Sequence, residues 1–378
     1  MRIAIIDTYY PRFVASHYRL NSGISRLSYR EQQKKLLDAC FGTSDFYSRH
    51  LNNLGCEAHD LIVNCVQLQQ TWARENDVPV STLALKVPHR AFRLPVVGPW
   101  LSSLPGLLDV AVAHVRALKP DVLYCQDLSF FPGEVLQQLK KHVGLVVGQI
   151  ASPLPPESFL RGYDLILTSF PHFVPRLRES GMASEYFRIG FDERVLSMLD
   201  DVKRDVGVSF VGGISRHHGK ALPLLEHIAR NTDIRFFGYG AGNLPRSSPI
   251  RRRHGGEVWG LDMYRALARS RITLNRHINV AENNANNMRL YEATGVGTLL
   301  LTDRKDNLGE LFEIGSEVVA YSSAEEAVEL IQYYLAHPED AQAIARAGQA
   351  RTLREHTYRH RMEELVPVLE RYLRAQHP

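Results

Sequence analysis

LDVAVAHVRALKPDVLYCQD, residues 108–127, carries both periodicities of an α/β protein in one short run. Its first half repeats apolar residues at helical spacing. Lys119-Pro120 stops that helix, because proline has no N–H and crowds the residue before it out of the helical region. DVLYC then reads as a strand buried on both faces. The same alternation runs outward in both directions. RIAIID (2–7) is a first strand, and DFYSRHLNNLGCEAHDLIVN (45–64) is a helix leading to a second. VGLVVGQI (143–150) and YDLILTSF (163–170) are β-branched runs of strand length. Repeated βαβ units predict a parallel sheet covered by helices.

The alternation pauses over GFDERVLSMLDDVKRDV (190–206), where charge rises, and then restarts. VGVSFVGG (206–213), DIRFFGYG (233–240), RITLNRH (271–277), GTLLLTD (297–303) and SEVVAY (316–321) read as strands. Helical patterns lie between them, and three more close the chain at 323–338, 338–355 and 358–376. The expected fold is α/β, with two Rossmann-like doubly wound domains facing a cleft. The first spans 1–200, the second spans 201–355, and a terminal helix spans 356–378. A chain of 378 residues suits two such domains.

Composition narrows the function. Hydrophobic content of 44% and charged content of 23% describe a soluble globular protein, and a net charge of +4 gives no nucleic-acid footprint. Cys40, Cys56, Cys65 and Cys125 lack metal-ligand or redox spacing, so free thiols in a reducing compartment are expected. The start MRIAIIDTYY turns polar too quickly for a signal peptide. The most apolar segment, 92–115, is broken by Pro95, Pro99 and Pro105, too often to span a bilayer. A cytoplasmic location is expected, with peripheral membrane association left open.

Open α/β sheets bind ligands beyond the carboxyl ends of their strands. Three loops of the second domain sit there. In FVGGISRHHGK, Gly212 and Gly213 let backbone N–H groups approach an anion, while Arg216, His217, His218 and Lys220 supply charge. In RITLNRH, the polar residues Asn275, Arg276 and His277 end a strand. NNANNMRLYEATGVGTLLLTD (283–303) holds four asparagines, of which one or two can cap the following helix. The rest are free to bond a ligand or each other at the positive helix end, where a phosphate would be held. Arg289 and Glu292 share one helix face, either as an i,i+3 ion pair or as a phosphate ligand and a carboxylate gripping sugar hydroxyls.

No Asp-x-Asp occurs, so no resident metal is expected and Arg, Lys and helix ends must balance a diphosphate. The first strand lacks G-x-G-x-x-G, which argues against a nicotinamide site. No cofactor is expected, and the implied ligand is a nucleoside diphosphate sugar as substrate. RSSPIRRRHGGEVWG (246–260) is a solvated basic loop or a contact for an anionic acceptor or membrane surface.

These residues resemble a known family. NNMRLYEATGVGTLLLTD and residues 307–362 resemble the C-terminal domain of GT-B-fold glycosyltransferases, the group named after the spore-maturation protein CgeB above all. VSFVGGISRHHGKALPLLEHI and YDLILTSFPHFVPRLRESGMASEYFRIGFD fit the same group. The resemblance implies an N-terminal acceptor-binding domain, a C-terminal domain binding the nucleotide-sugar donor, and a last helix crossing back to the first domain. It implies retention of anomeric configuration without a dedicated base. In related enzymes an E-x7-E motif stands on this helix, and Glu292 matches its second, ribose-binding Glu. Asn284 stands where the first would be, so the sugar contact falls to Asn284, Asn286 and Asn287 together. Arg216 and Lys220 are the nearest counterparts of the basic pair that neutralises the leaving diphosphate. An inverting enzyme would need a base from the first domain, for which Asp127 and His17 are the candidates. The alternatives are a non-catalytic nucleotide-sugar or glycan binder of the same fold, and an epimerase-like enzyme.

Overall fold

A computed structural model of the chain describes residues 1–79, 105–199, 202–214 and 221–376. Contacts divide the chain into two compact units. One comprises Met1–Thr168, Phe173–Phe187 and Met362–Pro378, the other Ser169–His172 and Arg188–Arg361.

The first unit holds a parallel sheet of six strands: β1 (Arg2–Asp7), β2 (Glu57–Ile62), β3 (Val122–Cys125), β4 (Leu145–Ile150), β5 (Leu165–Thr168) and β6 (Ser184–Tyr186). Their order is β2-β1-β3-β4-β5-β6. β1 is flanked by β2 in one direction and β3 in the other, with Ile3 opposite both Ala58 and Val122. The winding reverses there, which makes the carboxyl ends of β1 and β3 this sheet's switch point. Ile3, Ile6, Leu123, Val146 and Leu165 are fully buried, as expected of parallel strands covered on both faces.

The run 108–127 folds as its periodicity predicts. A helix spans Pro105–Leu118, Lys119 turns left-handed at φ 48°, and β3 follows. His114 on this helix stacks on Trp72 of helix Val66–Glu75 at 4.0 Å. Most of the proline-broken apolar segment, 92–104, lies outside the described residues. Helices Pro11–Leu20, Tyr29–Leu37 and Val66–Glu75 were not expected from the apolar pattern. The second of these carries a capping box, Ser28 with Glu31, which was a legible signal.

The second unit holds five parallel strands: β7 (Val206–Val211), β8 (Arg235–Phe237), β9 (Ser270–Asn275), β10 (Leu299–Asp303) and β11 (Val319–Tyr321), in the order β11-β10-β9-β7-β8. Its switch point lies between β7 and β9. β11 is shorter than the apolar run suggested, because the Gly315 N–H closes a turn onto the Val318 carbonyl before the strand starts. Residues 188–199, expected in the first domain, belong here for a specific reason. Phe191 exchanges backbone hydrogen bonds with His356 and Tyr358 and packs against Gly295, where a Cβ would lie 2.4 Å from its ring. From Met362 the last helix counts with the first unit, where Arg371 and Tyr372 hydrogen-bond the Glu185 carboxylate. Among the described residues no helix is long and apolar enough to cross a membrane.

The first unit holds two carboxyl groups with raised pKa values. Burial pushes Asp60 up to about 8, offset in part by the Ser48 hydroxyl and raised further by Asp45 and Asp7. Burial pushes Asp7 up to about 7, against a backbone bond from Thr8 and with Asp127 adding to the rise. The folded chain therefore holds protons that the unfolded chain releases above the ordinary carboxyl range. Stability is greatest below that range and falls as pH rises toward 8, by at most about 1.4 kcal/mol per pH unit for each group. Urea unfolding at pH 5.5 and 8.5 should show this loss, and Asp60→Asn should reduce it. A loss unchanged by Asp60→Asn removes Asp60 as its source.

Candidate active site

β7 and β8 do not stop at the sheet edge. The Gly212 N–H donates to the Phe237 carbonyl at 2.9 Å, and the Ile214 N–H donates to the Tyr239 carbonyl at 2.8 Å. The two exits stay this close because Gly238 adopts φ 121° and has no Cβ, which would lie 2.3 Å from the Gly212 carbonyl oxygen. One of the two glycine N–H groups expected to face an anion is thus committed. The Gly213 N–H has no partner among the described residues. Arg216, His217, His218 and Lys220 lie outside the described residues.

β9 and β10 end in a buried polar network. One Asp303 carboxylate oxygen accepts from His277 Nδ1 at 2.7 Å and from the His277 backbone N–H at 3.0 Å. The other oxygen faces Lys305 Nζ at 3.3 Å. Burial alone would raise the Asp303 pKa, but the His277 bonds and the Lys305 charge outweigh it and hold it below the usual carboxylate range. The Asn286 N–H donates to His277 Nε2 at 3.4 Å. An N–H donor at Nε2 leaves Nδ1 as the ring's donor toward Asp303, so both ring nitrogens are engaged. The His277 side chain is 1% exposed, so it lies inside this network and not on its surface, where a donor-contacting residue was expected.

The asparagines are engaged in the same way. Asn275 and Asn287 pair through their amides at 3.0 and 3.3 Å, and Asn275 also donates to the Thr302 hydroxyl. Asn287 caps helix Met288–Gly295 by accepting the Leu290 N–H at 3.2 Å. Asn286 is fully buried, with its side-chain oxygen accepting from the Tyr291 hydroxyl. Asn284 bonds Nδ1 of His172 at 2.8 Å, while Nε2 of that ring bonds the Val280 carbonyl. Asn307 clasps both backbone groups of Ala285. Of the four asparagines in 283–287, Asn287 caps, Asn284 and Asn286 build the loop because a buried amide left without partners costs more than its bonds return, and Asn283 is exposed. Two non-glycine residues here hold positive φ, Glu282 at 51° and Asn286 at 151°. Lys305 Nζ grips the Glu282 carbonyl at 2.6 Å, which helps hold that conformation.

What this frame presents is the start of helix Met288–Gly295. Helix geometry leaves the Met288 and Arg289 N–H groups without intrahelical partners. Further along, Arg289 and Glu292 form an ion pair at 2.8 Å, with side chains 14% and 6% exposed. Burial pushes the Glu292 pKa up, and Arg289 opposes it. The structure shows the i,i+3 ion pair, and a largely buried one.

In the first unit, Asp127 stands at the switch point. Its two carboxylate oxygens accept from the Thr8 hydroxyl at 2.7 Å and the Ser129 N–H at 2.8 Å. His17 sits in the last turn of its helix, its pKa lowered by burial and by Lys35. Asp303, Thr302, Lys305, Asn307, His172 and Tyr321 belong to the second-unit network but were not singled out in the sequence. The Tyr321 hydroxyl reaches back to the Asn275 carbonyl at 2.9 Å. For Asp303 a signal existed, a carboxylate at the carboxyl end of a strand.

Residues 216–367 match the model of a family described as glycosyl transferase-like. No curated protein matches the chain. Among solved structures, sucrose-phosphate synthase from Thermosynechococcus elongatus is similar with a TM-score of 0.59 at 12% identity, over 99% of this chain and 100% of that one. Anabaena HepE in complex with UDP-glucose gives 0.59 at 12%, over 98% and 100%. AviGT4, a glycosyltransferase involved in avilamycin A biosynthesis, gives 0.56 at 15%, over 99% and 98%. The chain has the GT-B fold of these proteins, with two parallel-sheet Rossmann-like domains.

Removing the Asp303 carboxylate leaves His277 and its N–H without an acceptor. Asp303→Ala should lower stability by about 3 kcal/mol, and Asn287→Ala, which loses a cap, by about 1 kcal/mol. Urea unfolding measures both, and equal or reversed losses would remove Asp303 from the centre of the network.

Proposed function

We propose that this chain is a glycosyltransferase that moves a sugar from a nucleoside diphosphate sugar to an acceptor hydroxyl. The observation that carries the proposal is the pairing of two donor sets at the switch point of the second sheet. These are the Gly213 N–H after β7, which has no partner among the described residues, and the N–H groups at the start of the Asn287-capped helix beyond β9. Neighbouring strands lie about 5 Å apart, so donors on both suit one diphosphate. The glycosyl transferase-like match over 216–367 supports the same reading, as does a GT-B protein whose structure holds UDP-glucose.

In glycosyl transfer the bond between the anomeric carbon and the diphosphate oxygen lengthens, and negative charge builds on the leaving group. N–H donors aimed there strengthen as the charge grows, which lowers the barrier rather than merely tightening ground-state binding. Arg216 and Lys220 follow Gly213 in the chain and are proposed to add cationic charge at the same phosphates. The sequence offers no Asp-x-Asp handle, so a metal-independent reaction is proposed. Retention is proposed as the stereochemical course. Both oxygens of Asp127 already accept hydrogen bonds, which suits a positioning role better than proton abstraction. Glu292 is proposed to hold the ribose from beneath the helix start, with Arg289 opposing the upward push of burial on its pKa.

A panel of UDP-, GDP-, dTDP- and CMP-sugars, incubated with and without EDTA, tests this. Slow donor hydrolysis insensitive to EDTA is expected, with a thermal shift from the matching free nucleotide. Nucleotide binding without turnover on any acceptor would favour a binding protein, and no nucleotide binding defeats the proposal. Glu292→Ala should weaken nucleotide binding at least tenfold, and unchanged affinity would remove its ribose role.

A further inference from the structure

The most basic stretch of the chain lies away from this site. Residues 246–254 contain Arg246, Arg251, Arg252, Arg253 and His254 and no acidic residue. Helix Leu222–Asn231 leaves the carboxyl end of β7 and runs back, so its last turn lies beside the start of β8. Arg253 pairs there with Asp233 at 2.9 Å, just ahead of that strand. The basic stretch is therefore at the amino end of β8, opposite the end where the donor site lies.

A hollow of about 390 Å³ opens at this point, lined by Ala229, Arg230, Ser247, Pro249, Arg252 and Arg253. Its frame is fixed from inside. Ile250 is fully buried, and Glu226 accepts from the Ser248 hydroxyl at 3.0 Å with one oxygen and pairs with Arg230 through the other. Arg251 is tied to the Leu244 carbonyl. The guanidinium of Arg252 donates to the Ser247 carbonyl at 2.6 Å and has no carboxylate partner among the described residues. Arg230 and Arg253 have one each, and in each pair one partner is exposed, Arg230 at 60% and Asp233 at 102%. Exposed pairs contribute little and exchange readily for a better acceptor. Three guanidinium forks and a serine around one small hollow match the oxygens of a phosphate group, whose geometry arginine binds in bidentate fashion.

We propose that this arginine-lined hollow is a second anion site, for a phosphate group carried by a lipid headgroup or by a small phosphorylated molecule. It is separate from the donor site and does not depend on the glycosyltransferase assignment.

Calorimetric titration of the full chain with inorganic phosphate tests the small-molecule source. Co-sedimentation with phosphatidylcholine vesicles, with and without phosphatidylglycerol, tests the lipid source. Binding in either arm is expected, weakened at least tenfold by Arg252→Ala and by Arg253→Ala. The thermal shift given by the matching nucleotide should be unchanged in both variants, which separates this site from the donor site. Arg252→Lys should recover only part of the affinity, because an ammonium keeps the charge but loses the fork. Absence of binding in both arms, or binding unaffected by Arg252→Ala, overturns the proposal.

Discussion

The hydrogen-bonded pair of Asp303 and His277 is the constraint on which the second unit's polar site depends. Asp303 closes β10, and His277 follows β9, its neighbour in the sheet. One carboxylate oxygen takes both the ring N–H and the backbone N–H of His277, which locks the two strand exits together. The far ring nitrogen is then an acceptor, and it takes the Asn286 N–H. That bond sets where Asn287 lies, Asn287 caps the helix, and the cap sets where the helix's positive end points. The short bonds from His277 to Asp303 are buried, which makes them costly to lose.

A loop so rich in amides invites the thought that its side chains touch the ligand. The amides are instead occupied with one another, with Thr302, with Tyr291 and with His172. What the frame offers is backbone: N–H groups at a helix start and at a glycine turn, held rigid by side chains behind them. Such donors need no reorganisation when charge develops in front of them, which suits phosphate recognition better than long flexible cations. The positive φ values at Glu282 and Asn286 belong to the same device, since a loop that must present backbone in a set direction accepts local strain to do so.

The two ends of the second sheet use cationic chemistry differently. At the carboxyl ends, partial charge comes from a helix terminus and a turn. At the amino end of β8, full charge comes from guanidinium groups on a short rigid turn held by Ile250 and Glu226. Burial separates the two: helix and turn N–H groups are fixed within the fold, whereas Arg252 is exposed and Arg230 and Arg253 pair with carboxylates at the surface.

Periodicity alone determined the architecture. Continuous apolar runs joined by helical patterns can satisfy their backbone only as parallel sheets wrapped by helices, so both sheets were legible from runs such as 108–127 and 297–303. Helices such as Tyr29–Leu37 were not, because their apolar stripe is thin and only the capping box marks them. The location of the polar site was also legible, because asparagines and glycines at strand ends are local signals. Which atoms would be free there was not. Asn284, Asn286 and His277 look alike as candidate ligands in sequence, yet Asp303, Thr302 and His172, distant in the chain, decide that their side chains serve the frame. Hydrogen-bond satisfaction is settled between residues far apart in sequence. Only the tertiary structure could assign these amides to the scaffold, because partners such as Thr302 and His172 lie far away in the chain.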